Sequence, residues 1–236
     1  MFKNKTAFIT GGTGSIGNSI CNDFLNNNCE NVFSSTTNLE KTKNLNEKIK
    51  FIKLDLNNIS NEIMKNQLNF EPDFLILNAG LNKDNIFLRM TNEEWADVIN
   101  VNLNSAFSLV RYFIKSMIKK RYGRIIFITS VVSFTGNPGQ VNYTASKAAL
   151  SGFCKSLSLE VASRNITVNC ISPGFIASNM TEKLTEDQRN IILDKVPMKK
   201  LGNPQDIANS VSFLCSEKAS YITGQTIHVN GGLALI

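Results

Sequence analysis

The sequence predicts an α/β fold: a single doubly wound parallel sheet of about seven strands with helices on both faces, spanning residues 1–236 as one domain. Three observations carry that prediction. Short apolar runs alternate with helix-period segments along all 236 residues. The run Phe74-Leu-Ile-Leu77 is wholly apolar, as a parallel strand buried on both faces requires. The first apolar run passes at once into a glycine-rich turn and then a helical pattern, a junction at which such sheets take ligands.

Taken in order, residues 5–10 read as the first strand, and the turn Gly11-Gly12-Thr13-Gly14-Ser15-Ile16-Gly17 follows. A helical pattern runs over 16–27. Gly12, Gly14 and Gly17 fit G-x-G-x-x-G in the strand–turn–helix context that gives the motif meaning. Glycines let a pyrophosphate approach a helix N-terminus, whose free N–H groups and dipole favour anions. Residues 32–37 form a second strand ending in Thr36 and Thr37. No carboxylate stands there to bind a ribose 2′-hydroxyl or repel a 2′-phosphate, and Lys41 and Lys43 lie just beyond, which favours NADP over NAD. The third strand, 49–55, ends in Asp55, placed either to meet an adenine or to cap a helix.

The fourth strand, from Phe74, ends in Asn78-Ala79-Gly80. A capping box, Thr91-Asn-Glu-Glu94, opens one long helix expected to run through Asn102 to about Arg121. Residues 124–130 form the fifth strand, ending at Ser130, and Asn137-Pro-Gly then makes a turn. The next helix carries Tyr143 and Lys147, with small residues (Ala145, Ser146, Ala148, Ala149, Ser151, Gly152) that suit close packing against a neighbour. The sixth strand covers 166–172 and leads into Pro173-Gly174. About ten residues later a second capping box begins at Thr185, and a helix over 207–215 and a strand over 225–229 complete the chain. No linker, repeat or low-complexity tract divides it.

Composition narrows the function classes. A hydrophobic fraction of 42% and a mean hydropathy of −0.08 fit a soluble globular protein, with no apolar run long enough to span a bilayer. The N-terminus enters a strand pattern without signal-peptide architecture, pointing to the cytosol or an organelle. Five cysteines without C-x-x-C spacing read as free thiols in a reducing compartment and argue against zinc. The one histidine, His228, lies in an apolar stretch and reads as structural, which disfavours a Ser-His-Asp triad. The net charge of +6 points to an acidic partner or substrate, or simply follows a composition rich in Asn, Lys and Ile. No basic run interleaved with aromatics suggests nucleic acid.

The chemistry centres on Tyr143-Thr-Ala-Ser-Lys147. Residues four apart on a helix share a face, and an ammonium held near a phenol favours phenolate, so Lys147 is expected to lower the tyrosine's pKa from about 10. Such a phenol can give a proton to a carbonyl or take one from an alcohol. The pair alone is chance-prone. The glycine turn, Asn78-Ala79-Gly80, Ser130 and Pro173-Gly174 all fall at the same C-terminal strand edge, and that coincidence makes the activated tyrosine credible.

These residues make the chain resemble the short-chain dehydrogenase/reductase family over essentially its full length. The match comprises Thr10-Gly11, Ile16-Gly17, Asn78-Ala79-Gly80, Asn102, Ser130, Tyr143-x-x-x-Lys147 and Pro173-Gly174. Gly136-Asn-Pro-Gly-Gln-Val-Asn-Tyr143 and Tyr221-Ile-Thr-Gly-Gln-Thr-Ile-His-Val-Asn-Gly-Gly232 are similar to stretches of 3-oxoacyl-[acyl-carrier-protein] reductases of type II fatty acid synthesis. The resemblance implies a Rossmann-type fold, a cytoplasmic homotetramer and NADPH-dependent reduction of a carrier-bound 3-oxoacyl group. It also implies roles. Tyr143 is the general acid, Lys147 tunes it and holds the nicotinamide ribose, Ser130 binds the substrate carbonyl, and Asn102 holds a relay water. Gly11, Gly12, Thr13, Gly14, Ser15, Ile16 and Gly17 cradle the pyrophosphate. Thr36 or Thr37 faces the 2′-phosphate, and Asp55 with Leu56 meets the adenine. Asn78, Ala79, Gly80, Pro173, Gly174, Ile176 and Ser178 line the rest of the cofactor. A lid is implied from Phe175 to about Lys195, and Arg121 and Arg164 are the implied carrier-protein contacts beside the mouth.

Three positions depart from the family pattern: Ser15 replaces a glycine, Gly14 stands where many NADP-using members carry arginine, and Leu77 replaces an asparagine. A reductase of acetoacetyl-CoA or another small ketone, and a non-catalytic nucleotide sensor, are the alternatives on the same fold.

Overall fold

The structure is a computed structural model that describes residues 1–178 and 185–236. Its centre is a seven-stranded sheet: β1 (Thr6–Ile9), β2 (Asn31–Thr36), β3 (Ile49–Lys53), β4 (Phe74–Leu77), β5 (Gly123–Ile128), β6 (Ile166–Pro173) and β7 (Thr226–Val229). The order is β3-β2-β1-β4-β5-β6-β7 and every pairing is parallel. The winding therefore reverses between β1 and β4, and the strands' C-terminal ends all meet one edge. The helices are α1 (Ser15–Asn26), α2 (Asn61–Gln67), α3 (Asn92–Ile99), α4 (Ser105–Lys120), α5 (Val132–Thr135), α6 (Val141–Val161), α7 (Glu186–Lys195) and α8 (Pro204–Cys215).

The strands' period of two divides the apolar residues between two cores. Ala7, Ile9, Ile126 and Ile128 face α1 and α8, where they meet Ile20, Phe24, Val211 and Leu214. Phe8, Ile125, Phe127 and Val168 face the other side, where Leu109, Phe113, Leu150 and Cys154 cover them. Helices on both faces explain why β4, β5 and β6 are buried at every position. Each fully buried large apolar side chain contributes about 1.5–3 kcal/mol, so this two-sided core holds the sheet edge as a rigid frame for the site.

The helix expected from Thr91 to about Arg121 is interrupted. The capping box at Thr91 and Glu94 forms as expected. A π-helical turn, Asn100–Asn104, then separates α3 from α4, with Ser105 N–H bonding Asn100 C=O. The wider turn takes up one more residue per repeat than an α-helix and brings Asn102 inward, where it is 2% exposed. The stretch expected as a lid starts at Phe175 and reaches α7, and within it residues 179–184 lie outside the described residues. Its first part is fixed: Ala177 N–H donates to Gly202 C=O at 2.8 Å and Gly202 N–H to Phe175 C=O at 2.9 Å.

Candidate active site

The first turn of α1 begins at Gly14, which supplies no side-chain cap, so the helix's leading N–H groups stay available. Gly17 is needed for a close approach. A Cβ there would lie inside contact distance of the Gly11 carbonyl oxygen and 2.8 Å from Asn78 Nδ2. The Thr10 hydroxyl ties this loop to the end of β4 by accepting from Asn78 N–H at 3.0 Å and Ala79 N–H at 2.9 Å, while Asn78 Nδ2 returns a bond to Thr10 C=O at 2.9 Å. The glycine turn and Asn78-Ala79-Gly80 therefore form one assembly at the switch point.

α6 delivers Tyr143 and Lys147 on one face, as their spacing requires, with Lys147 Nζ 5.7 Å from the Tyr143 ring centroid. Lys147 is 3% exposed and donates to Ile128 C=O at 2.8 Å. Gly80 leaves room for it, since a Cβ there would sit 3.3 Å from Nζ and 3.6 Å from Asn102 Oδ1. Asn102 is a clamp: its Oδ1 accepts from Leu81 N–H at 2.7 Å, and its Nδ2 donates to Leu81 C=O at 3.0 Å and to Ser146 Oγ at 2.9 Å. Ser146 Oγ in turn donates to Tyr143 C=O at 2.7 Å. The loop after β4, the π turn and α6 are locked together through one amide side chain.

Ser130 lies just beyond β5, and its hydroxyl pulls the Tyr143 phenol's pKa down. A cavity of about 390 Å³ joins these groups to the glycine turn, lined by Ser130, Tyr143 and Lys147 and by Ile16, Asn78 and Gly80. Pro173, Gly174, Ile176 and Ser178 line it too.

Burial governs the titration of the pair. It pushes the Tyr143 phenol up, with the Ser130 hydroxyl pulling down and Asp84 pushing further up. It also brings Lys147 from 10.5 down to about 8. The expected depression of the tyrosine's pKa by Lys147 is thus corrected. The ammonium spends a bond on Ile128 C=O and stands 5.7 Å from the Tyr143 ring centroid, and desolvation of the phenol outweighs it. A phenol kept protonated is the competent form for giving a proton.

Other expected positions divide. Thr36 is buried and its hydroxyl closes a turn, donating to Asn38 C=O at 3.1 Å, whereas Thr37 is exposed at the end of β2. Lys43 pairs with Glu40. The Asp55 carboxylate caps a turn, accepting from Asn57 N–H at 2.9 Å and Asn58 Nδ2 at 2.8 Å, and the Leu56 side chain is buried in the core. Arg121 and Arg164 do not stand beside the mouth of their own chain. Arg121 lies two residues before β5 and Arg164 two residues before β6, so both lie at the N-terminal edge of a parallel sheet whose site is at the other edge. Arg121 donates there to Ser163 C=O at 3.0 Å. Thr10 as a tether, Ser146 and the Ile128 carbonyl were not foreseen as site groups. A serine between Tyr143 and Lys147 was visible, but its partner lies 44 positions away.

Residues 11–234 match the family model described as Enoyl-(Acyl carrier protein) reductase. The chain is 48% identical over 236 residues to the 3-oxoacyl-[acyl-carrier-protein] reductase of Rickettsia felis, with 98% of each chain covered. It is likewise 48% identical to the enzyme of that name from Buchnera aphidicola of Acyrthosiphon pisum, with 98% of each covered. Nodulation protein G of a Rhizobium species is 44% identical, again over 98% of each. Full-length likeness of this degree, on a parallel sheet whose C-terminal edge joins a glycine turn to a Ser–Tyr–Lys cluster, places the chain in the short-chain dehydrogenase/reductase family.

Proposed function

We propose that this chain is an NADPH-dependent 3-oxoacyl-[acyl-carrier-protein] reductase. The observation that carries the reading is the convergence of Ser130, Tyr143 and Lys147 on one cavity that continues to the nucleotide turn. The residues present fit a dinucleotide. The uncapped α1 N-terminus suits a pyrophosphate, the open surface around Gly14 admits it, and Ile16, Gly80 and Ile176 line the path to the catalytic cluster. Reduced nicotinamide supplies the hydride when bound.

The chain's own groups do the rest. The Ser130 hydroxyl donates to the 3-oxo oxygen as negative charge develops there, and Tyr143 passes its proton to that oxygen, leaving a 3-hydroxyacyl thioester. Lys147, positively charged below about pH 8, stabilises the phenolate left behind and reaches toward the nicotinamide ribose. Asn102 holds the loop and helix in register, and a water near it and Lys147 would return the proton to Tyr143. Thr37, exposed at the β2 end with no carboxylate beside it, is the residue of its pair free to face a 2′-phosphate. Arg121 and Arg164 can serve carrier protein only in an assembly that sets one copy's N-terminal edge against another's mouth. In that case Arg121→Glu raises KM for carrier-bound substrate and leaves KM for the CoA thioester unchanged.

The test is steady-state oxidation of NADPH, and of NADH, by purified protein with a 3-oxoacyl thioester on carrier protein or CoA and with a 2-enoyl thioester. Turnover of the 3-oxo substrate with NADPH preferred is expected. Activity on the enoyl thioester alone would move the reading to the chemistry in the matching family's description. No NADPH oxidation with any 3-oxoacyl thioester would refute it.

A further inference from the structure

The turn that carries Ser130 is held across three successive strand ends. Ser130 itself follows β5. The next residue, Val131, donates its N–H to Pro173 C=O at the end of β6 at 2.9 Å. Phe134, at the far end of the four-residue α5, packs against His228 of β7, with ring centroids 4.8 Å apart and planes at 65°. Within the turn, Ser133 N–H and Oγ both bond Ser130 C=O, at 3.0 and 2.5 Å, so movement of the α5 end carries directly to the serine.

The outer strap depends on one ring. α5 has no side-chain cap; beyond the main-chain bonds of its own turn and its packing on α6, its end is held toward β7 by the Phe134 ring, which is 39% exposed. His228 stands in register with Ser172 on β6, and parallel register partners point to the same face. The two buried polar atoms there, Ser172 Oγ and His228 Nδ1, have no hydrogen-bond partner among the described residues. Among the described residues no bond through Nδ1 orients the imidazole, which lies edge-to-face against Phe134. The remaining role of a group that must meet a developing oxyanion is to be aimed beforehand, which makes such support consequential.

From this geometry we propose that His228 is a positioning residue for carbonyl reduction: through the Phe134 ring it holds the turn that aims the Ser130 hydroxyl. The inference rests on the role given to Ser130 above. It assigns work to the chain's single histidine without proton transfer, so an aromatic ring that cannot titrate is expected to serve in its place.

Two measurements test it. In protein without ligands, His228→Ala and Phe134→Leu are each expected to speed amide hydrogen exchange of residues 131–135 at least tenfold, as read by mass spectrometry, while α1 stays unchanged. With a 3-oxoacyl thioester, each lowers kcat about two- to tenfold, the rate equivalent of one aromatic pair, with NADPH affinity unaltered. His228→Phe keeps the wild-type kcat, and neither substitution lowers kcat further in a Ser130→Ala background. Unchanged exchange in His228→Ala, a wild-type kcat in that variant, an equal loss in the Ser130→Ala background, or a His228→Phe as impaired as His228→Ala each overturns the proposal. A wild-type protein inactive on the thioester sinks the functional reading instead, and the exchange measurement then decides the strap by itself.

Discussion

Replacing Lys147 with methionine is expected to end turnover while changing how stability depends on pH. The lysine is 3% exposed, and burial lowers its pKa from 10.5 to about 8. Below about pH 8 it is charged in both folded and unfolded chains, and the full cost of burying that charge is present. As pH rises from 8 to 10.5, the folded chain has released the proton and the unfolded chain still holds it. The unfolded state then binds more protons, so native stability increases with pH. The shift corresponds to about 3 kcal/mol, of which about 2 kcal/mol is relieved between pH 7 and 9.5. Methionine fills a similar volume, carries no charge and leaves Ile128 C=O without its donor, a pH-independent loss of about 1–3 kcal/mol. Equilibrium urea unfolding at matched protein concentration gives the comparison. The stability difference, Lys147→Met minus wild type, should move against the variant by about 2 kcal/mol from pH 7 to 9.5. Groups titrating alike in both proteins cancel. A difference constant to within about 0.5 kcal/mol would refute the claim that burial dominates this lysine.

Tyr143→Phe removes the proton donor and keeps the ring, so kcat should fall by about 10²–10⁴ while cofactor affinity, read by fluorescence titration, stays within about twofold; undiminished turnover contradicts the assigned role. The rate of carbonyl reduction should hold through neutral pH and decline above about 8 as Lys147 loses its charge, Tyr143 remaining protonated over that range because burial raises its pKa. A profile flat to pH 9.5 excludes the ammonium from the mechanism. Gly17→Ala forces a Cβ onto the Gly11 carbonyl and should cost about 1–3 kcal/mol together with most of the cofactor affinity. Gly14→Ala, whose nearest neighbour would be 3.5 Å away at an ordinary negative φ, should leave the melting temperature within a few degrees of wild type.

What the sequence determined by itself are the features that follow from local period and chain order. The wholly apolar run Phe74–Leu77 had to be a strand buried on both faces, and all seven strands start within a residue of where the sequence put them. A tyrosine and a lysine four positions apart on a helix had to share a face. Ser130, the glycine turn and Asn78-Ala79-Gly80 had to meet because each follows a strand and all strands run one way. The tertiary structure alone decided matters that depend on distant neighbours or on burial. It inserted the π turn that swings Asn102 onto Leu81 and Ser146. It gave the Lys147 ammonium to a main-chain oxygen, which has no sequence signature. It raised Tyr143's pKa where pairing with a cation predicted a fall, because desolvation scales with everything packed around a group and not with the residue four positions away. It also set Arg121 and Arg164 at the edge opposite the site. Strand polarity separates residues that precede β5 and β6 from those that follow them, a distance of the sheet's full height that no list of matching positions reveals.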